Sequence, residues 1–402
     1  MVHVNIISRE IIRPSSPAIR HLKPFKLSVL DQYTPTTYIP RVLFYSKSPQ
    51  TSSTDHVKNS LSETLNSFYP FSGKMQDNLF IDFYNEGIPF NESGVHCSLS
   101  DFLQHPKTEF AQLAVQVNIF DCGGIAIGLC SSHKITDGAT LNAFLNTWAA
   151  IAGGPCNKLV HPNISEASSL AYFPPCNIWP QRLWFKKEKY KTRQFVFDAK
   201  AIATLKEKAK SEQVQNPTRT ESLSSFIYIH ARAASRLTSS SPRPSILVQP
   251  STEIKLRGLV ATLREAVAKI DSDVRILQGH EGFTTKMKAA MVFKNPEIFG
   301  FASWLTFGFD EIDFGWGKPV WVGLLGEGGS GRNLIVLQNT TSGNGIEAWQ
   351  DPEFLAFATL NPSVLIHEAI YTFDNTHLRS SNIVSTLLHM YSNQTNKASE
   401  LY

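Results

Sequence analysis

The sequence predicts an α/β protein of two domains, and three observations carry that prediction. Strand-like apolar runs alternate with apolar stripes at helical spacing in both halves of the chain. At 402 residues the chain exceeds the usual single-domain size. Between the halves, from Gly153 to Lys191, Pro155, Pro162, Pro174, Pro175 and Pro180 break any regular element. That stretch reads as a long crossover, and loops of such length tend to be functional or mobile.

Taken in order, Ile11-Ile12-Arg13-Pro14-Ser15-Ser16-Pro17 opens the chain as an extended, proline-punctuated segment. Phe25-Lys26-Leu27-Ser28 and Val42-Leu43-Phe44-Tyr45 suggest strands. Val57, Leu61, Leu65 and Phe68 form a helical stripe that ends at Tyr69-Pro70, with Gly73 just beyond. Two further strands are expected, one from Phe80 to Phe83 and one from Ala114 to Phe120. The run from Ile125 to Cys130, bounded by Gly123-Gly124, reads as a buried strand. Leu141, Phe144, Leu145 and Trp148 then mark one face of a helix.

Past the crossover, Arg193 to Phe197 suggests a strand and Lys200 to Lys210 a helix. Thr218-Arg219-Thr220-Glu221 is a capping box ahead of Leu223, Phe226, Ile227 and His230. A strand at Ser245–Gln249, a helix marked by Leu259, Leu263, Ala266, Val267 and Ile270, and a strand at Leu334–Leu337 complete the pattern. No repeat of solenoid period is visible.

Composition narrows the function. The hydrophobic share of 42% and charged share of 18% describe an ordinary globular core. The net charge of +4 is spread without long like-charge runs, which argues against nucleic acid and membrane surfaces as partners. Lys186-Lys187-Glu188-Lys189 is a local basic spot that could meet an anionic co-substrate. Cys97, Cys122, Cys130, Cys156 and Cys176 are odd in number, with no C-x-x-C, so neither a disulfide framework nor a metal site is expected. A reduced, cytoplasmic setting fits. The first thirty residues carry charges in place of the apolar core of a signal peptide, and no run approaches the ~20 apolar residues of a membrane span.

Ser131-Ser132-His133-Lys134-Ile135-Thr136-Asp137-Gly138 lies where a strand ends and a helix has yet to begin. A neutral imidazole held there can accept a proton near pH 7, the task of a general base. Asp137 could orient it or brace the turn that Gly138 relaxes. On spacing alone, a histidine serving only structure is the competing reading. Asp313-Phe314-Gly315-Trp316-Gly317 is the second unusual stretch, its glycines implying tight turns between aromatic residues. Asp313 there reads either as a group reaching a cleft or as a buried carboxylate fixing the turn, and Trp316 as core.

In that order and on opposite halves, these two motifs resemble those of the plant BAHD acyltransferases. Pro14-Ser15-Ser16-Pro17, Leu30-Asp31-Gln32, the run from Leu61 to Gly73, Phe120-Asp121-Cys122-Gly123-Gly124 and Gly343-Asn344-Gly345-Ile346-Glu347-Ala348-Trp349 agree with the branch that acylates alkaloids and terpenoids. The resemblance implies two similar chloramphenicol-acetyltransferase-like domains, each a mixed sheet with flanking helices, and an active-site channel between them. Its boundaries here are 1–152 and 192–366, joined by 153–191, with a tail at 367–402. It implies His133 as general base and adds Asp313 to the catalytic set, with Asp137, Gly138, Gly315, Trp316 and Gly317 in support. Acyl-CoA, above all acetyl-CoA, is the implied co-substrate and a small-molecule alcohol the acceptor. No metal is required, and a monomer is expected.

The sequence also departs from that family. After Gln249 the segment Pro250-Ser251-Thr252-Glu253-Ile254 leads directly into the next helix, so about 25 residues are missing, the scale of a strand and its turn. An arginine expected to partner the motif aspartate falls within them. Shorter gaps lie between Phe102 and Ala114 and between Trp349 and Asp351. An N-acyltransferase, and an impaired binding protein or incomplete isoform on the same scaffold, are therefore the alternatives to an O-acyltransferase. A serine hydrolase is excluded, since no G-x-S-x-G is present.

Overall fold

The computed structural model describes residues 6–28, 31–32, 34, 37–46, 54–94, 111–120, 123–154, 162, 164, 193–238, 255–276, 300–323, 334–340, 343–350 and 366–370. The crossover beyond Gly154, the strand expected at Ser245–Gln249, the gap flanking Phe102 and the tail beyond Ile370 fall essentially outside these residues.

Two sheets organise the chain. The first contains β1 (Ile6–Ile12), β3 (Tyr38–Tyr45), β6 (Ile88–Gly94), β7 (Leu113–Ile119), β8 (Ile125–Ser132) and β11 (Trp321–Gly323), in the order β1-β6-β7-β8-β3-β11. Only β6 and β7 in it run parallel. Three short strands, β2 (Phe25–Lys26), β4 (Lys74–Gln76) and β5 (Phe80–Asp82), form a separate small sheet. The second large sheet is ordered β10-β12-β13-β9-β14, from β9 (Arg193–Phe197), β10 (Gly300–Ser303), β12 (Leu334–Asn339), β13 (Ile346–Gln350) and β14 (Ile366–Ile370). The mixed sheets and flanking helices are those of the expected α/β fold.

Strand alternation decides what each face of the first sheet does. Leu43 and Tyr45 of β3 share a face with Ile125, Ile127 and Leu129 of β8, and two helices cover it. These are α1 (Thr54–Ser67), contributing Val57, Leu61 and Leu65, and α2 (Gly138–Ile151), contributing Leu141, Phe144, Leu145 and Trp148. Each such side chain gains roughly 1.5–3 kcal/mol by leaving water. The helices are registered by the Trp148 indole, which donates to the Val57 carbonyl at 3.2 Å and to the Ser60 hydroxyl at 3.1 Å.

The second sheet packs Phe195, Phe197, Ile335, Leu337 and Ile346 against α3 (Ala199–Ala209) and α4 (Arg219–Thr238). The capping box forms as read: the Thr218 amide donates to Glu221 at 2.7 Å and the Glu221 amide donates to the Thr218 hydroxyl at 3.1 Å. A fifth helix, α5 (Leu256–Ile276), lies against α3 and α4, and Arg264 on it pairs with Glu221 at 2.7 Å.

One connection differs from a simple division into halves. β11 pairs antiparallel with β3, and the Val320 amide donates to the Phe44 carbonyl at 2.7 Å. Phe309, Ile312 and Phe314 are buried in the first core. The expected C-terminal domain, 192–366, thus lends the chain from Phe309 to Gly323 to the first sheet. Among the described residues no helix is long and apolar enough to cross a membrane.

Candidate active site

The turn between β8 and α2 is built to hold one side chain outward. The Ser132 amide donates to the Gln112 carbonyl and the His133 amide to the Thr37 carbonyl, both at 2.8 Å. His133 is thereby fixed at its backbone while its imidazole is exposed. Lys134 points the other way. It is 3% exposed, and its ammonium donates to the carbonyls of Thr34 (2.7 Å), Gln32 (3.2 Å) and Asp31 (3.3 Å). The Asp31 carboxylate accepts from the Ser28 amide at 2.8 Å, and burial raises its pKa above the usual range. The carbonyls of Asp31, Gln32 and Thr34 therefore form a cage that anchors the histidine turn through Lys134.

Asp137 does not orient the imidazole. It is the N-cap of α2, with extended backbone, and its Oδ1 accepts from the Thr140 amide at 2.7 Å. Gly138 is needed for space: a Cβ there would fall inside the ring of Phe307, a residue of the second half. Close approach, rather than a relaxed turn, explains this glycine.

The Asp313–Gly317 motif sits at the far end of the same helix. The Asp313 carbonyl oxygen occupies the space a Cβ at Gly154 would need, and a Cβ at Gly315 would lie 3.2 Å from the Gly153 carbonyl. Phe314 meets Trp148 edge to face at 5.0 Å, and the Tyr45 hydroxyl donates to the Ile312 carbonyl at 3.1 Å. The helix from Gly138 to Ile151 has fourteen residues, about 20 Å of rise. Asp313, expected in the catalytic set, is therefore not brought together with His133. Its Oδ1 accepts from the amides of Gly315 (2.7 Å) and Gly317 (2.9 Å), whose φ angles are 88° and 87°. Its own loop satisfies the carboxylate in place of the expected arginine. Trp316 stacks on Phe314 at 5.5 Å and packs against the first core.

Arg41 escaped the sequence reading because a single arginine inside an apolar strand has no motif. It is 1% exposed on β3, with its guanidinium carbon 3.6 Å from the Trp304 ring centroid and 4.0 Å from that of Phe309. Among the described residues its Nε and Nη1 have no hydrogen-bond partner, and burial pulls its pKa down to about 9. Two cation–π contacts offset only part of a burial penalty of several kcal/mol. The hydroxyls of Ser131 and Thr136, on either side of His133, are also buried without partners. Cys130 is the one cysteine among the described residues, and burial pushes its thiol up to about 12, too high for a nucleophile at neutral pH. No group of three or more metal-ligating side chains gathers among the described residues.

A family model described as the Transferase family matches residues 2–257 and 251–351. The two matches meet where the sequence reading finds a segment missing. The chain is 37% identical to limonoid 7-O-acetyltransferase of Citrus sinensis, over 90% of this chain and 99% of that protein. It is 36% identical to epi-neemfruitin B 7-O-acetyltransferase of Melia azedarach, over 89% of this chain and 99% of that protein, in an alignment of 448 residues. That alignment is longer than the chain itself, so the relative carries positions this chain lacks. Among solved structures, that of vinorine synthase superposes with a TM-score of 0.73 at 27% identity, covering 90% of this chain and 98% of that one.

Proposed function

The chain belongs to the Transferase (BAHD) family and is an acyltransferase, and we propose that it esterifies a hydroxyl of a terpenoid or alkaloid with the acetyl group of acetyl-CoA, using His133 as the base. The acetyl group and the hydroxyl acceptor are taken from relatives named as limonoid and stemmadenine O-acetyltransferases, and the terpenoid and alkaloid classes from the family resemblance of the motifs.

In this reading the His133 imidazole accepts the proton of the acceptor hydroxyl as that oxygen attacks the thioester carbonyl. A carbon–oxygen bond forms, and the tetrahedral intermediate collapses with cleavage of the carbon–sulfur bond. The proton then passes from His133 to the departing CoA thiolate. The histidine ends as it began, and the products are an ester and free CoA. General-base help of this kind contributes about 10²–10⁴-fold. The enzyme works as a cytoplasmic monomer of two domains, 1–152 and 192–366, joined by 153–191, with Phe309–Gly323 of the second lent to the first sheet and β14 carrying the second sheet on to Ile370.

The observation that carries the base role is the setting of His133. Its backbone is tied to Thr37, its neighbour Lys134 is caged and Asp137 is committed to the helix start, so of these three side chains the exposed imidazole is the one free to accept a proton. The test is release of CoA thiol from acetyl-CoA with a panel of terpenoid and alkaloid alcohols, beside His133→Ala. Wild type should release thiol and the variant should lose turnover 10²-fold or more, with an unchanged melting temperature. Turnover persisting in a folded variant overturns the role.

A further inference from the structure

Arg41 takes no part in that reaction, yet it stands at the same end of the sheet. On β3 it lies opposite Leu129 of β8, and Ser131 is the next residue of β8 on that face, a diagonal neighbour within reach of a long side chain. Over it lie Trp304 and Phe309, and Phe307 continues from Phe309 at 5.8 Å to the Gly138 turn. Phe309 and Phe307 thus link the guanidinium to the first turn of α2, which begins five residues after His133.

We propose that Arg41 binds a carboxylate, and that one co-substrate of this acyltransferase carries an acid group beside its reacting end.

A guanidinium is always charged at neutral pH and presents rigid donors suited to a carboxylate. Here two of its nitrogens, Nε and Nη1, face no acceptor, and no carboxylate among the described residues neutralises it. The unpartnered hydroxyls of Ser131 and Thr136 are further donors for the same anion. The N-terminus of α2 favours negative charge nearby, and placing a second positive group there without an anion would cost stability. Trp304 and Phe309 hold the guanidinium in orientation without consuming its in-plane donors. The acid has two possible sources. It is either the free end of a dicarboxylic acyl group on CoA or a carboxylate on the acceptor alcohol.

Which substrate carries the acid rests on the acyltransferase reading, but anion binding does not, so binding is tested first. Thermal melts of the full chain are run in sodium succinate and in sodium chloride of equal ionic strength. Wild type should gain a few degrees, saturably, in succinate, and Arg41→Met should gain nothing while folding as well without it. Equal melts of wild type in the two salts, or the same succinate gain in Arg41→Met, overturn the proposal. Turnover then identifies the source. Succinyl-CoA is compared with acetyl-CoA on neutral alcohols, and a hydroxy acid with its methyl ester under acetyl-CoA. One arm should show at least a tenfold preference in kcat/KM for the acid, lost in Arg41→Met; turnover without preference in either arm overturns the proposal. If no pair releases thiol, the transferase reading fails and the melts still decide whether Arg41 binds a carboxylate.

Discussion

Asp313 illustrates how a residue can be prominent in a sequence and yet lie apart from the histidine proposed as base. Its carboxylate closes a five-residue loop by accepting from two glycine amides, and it is half-buried with its oxygen on the protein's own backbone. Asp313→Ala should therefore cost stability, about 2 kcal/mol for the lost charge-assisted bonds, and lower the melting temperature. Below that temperature, kcat/KM should remain within a few-fold of wild type, unlike His133→Ala. Assay at two temperatures checks this: a large loss of turnover at the lower one, with the fold intact, would put Asp313 back in the reaction. At this scale the sequence placed His133 at the end of a strand, where it lies, while its role as base came from the resemblance of its motif and not from the spacing. Arg41 and Lys134 were not legible as site residues. Their meaning depends on which rings and carbonyls surround them, and those come from residues 31–34 and 304–309, remote in sequence.

At the scale of elements, α2 is the part on which both motifs act. Phe307 presses on Gly138 at its N-terminus, Phe314 on Trp148 along its length, and the Asp313–Gly317 loop on Gly153 and Gly154 at its C-terminus. His56 of α1 adds a bond to the Ala152 carbonyl at 2.9 Å. A motif about 20 Å from the histidine can thus set its position by fixing a rigid helix end to end. Gly138→Ala tests this, since alanine is by itself the better helix former by about 1 kcal/mol. The clash with Phe307 should reverse that gain, shift the turn and lower kcat at least tenfold. Phe307→Ala in the same chain should restore much of it by removing the ring; no restoration would mean that the glycine matters for another reason. Helices α1 to α5 and strands β3, β5, β7, β8, β9 and β12 were legible because their apolar spacing is regular. β6 was missed because Pro89, Asn91, Glu92 and Ser93 dilute its pattern. β10, β11 and β14 are short and take their place from the strands they pair with.

For the molecule as a whole, the decisive feature is how the two sheets are fastened, and one buried carboxylate sits at that fastening. Gln338 on β12 donates from Nε2 to the Val322 carbonyl of β11 and to Glu347 of β13, each at 2.8 Å. A glutamine of one sheet thereby grips the edge strand of the other. This joint could not be read from the sequence, because β11 has three residues and Glu347 belongs to a motif whose partners lie on other strands. Glu347 is 6% exposed and also accepts from the Trp349 indole at 3.3 Å; burial raises its pKa above the ordinary 4.5 despite these bonds. A carboxyl with a raised folded pKa binds its proton more tightly folded than unfolded. Between 4.5 and the raised value the unfolded chain holds fewer protons, so this group's contribution to stability falls as pH rises through that window. Glu347→Gln keeps the shape and removes the charge. It should melt above wild type at pH 7, and the difference should close as the pH is lowered towards 4.5. Melts of both proteins across that range decide the point: a gap that does not narrow on acidification, or a variant that melts lower at neutral pH, means the buried carboxylate contributes its hydrogen bonds and not a titrating charge. A closing gap would identify the joint between the sheets as a place where the fold accepts a cost in stability to hold a polar contact across its seam.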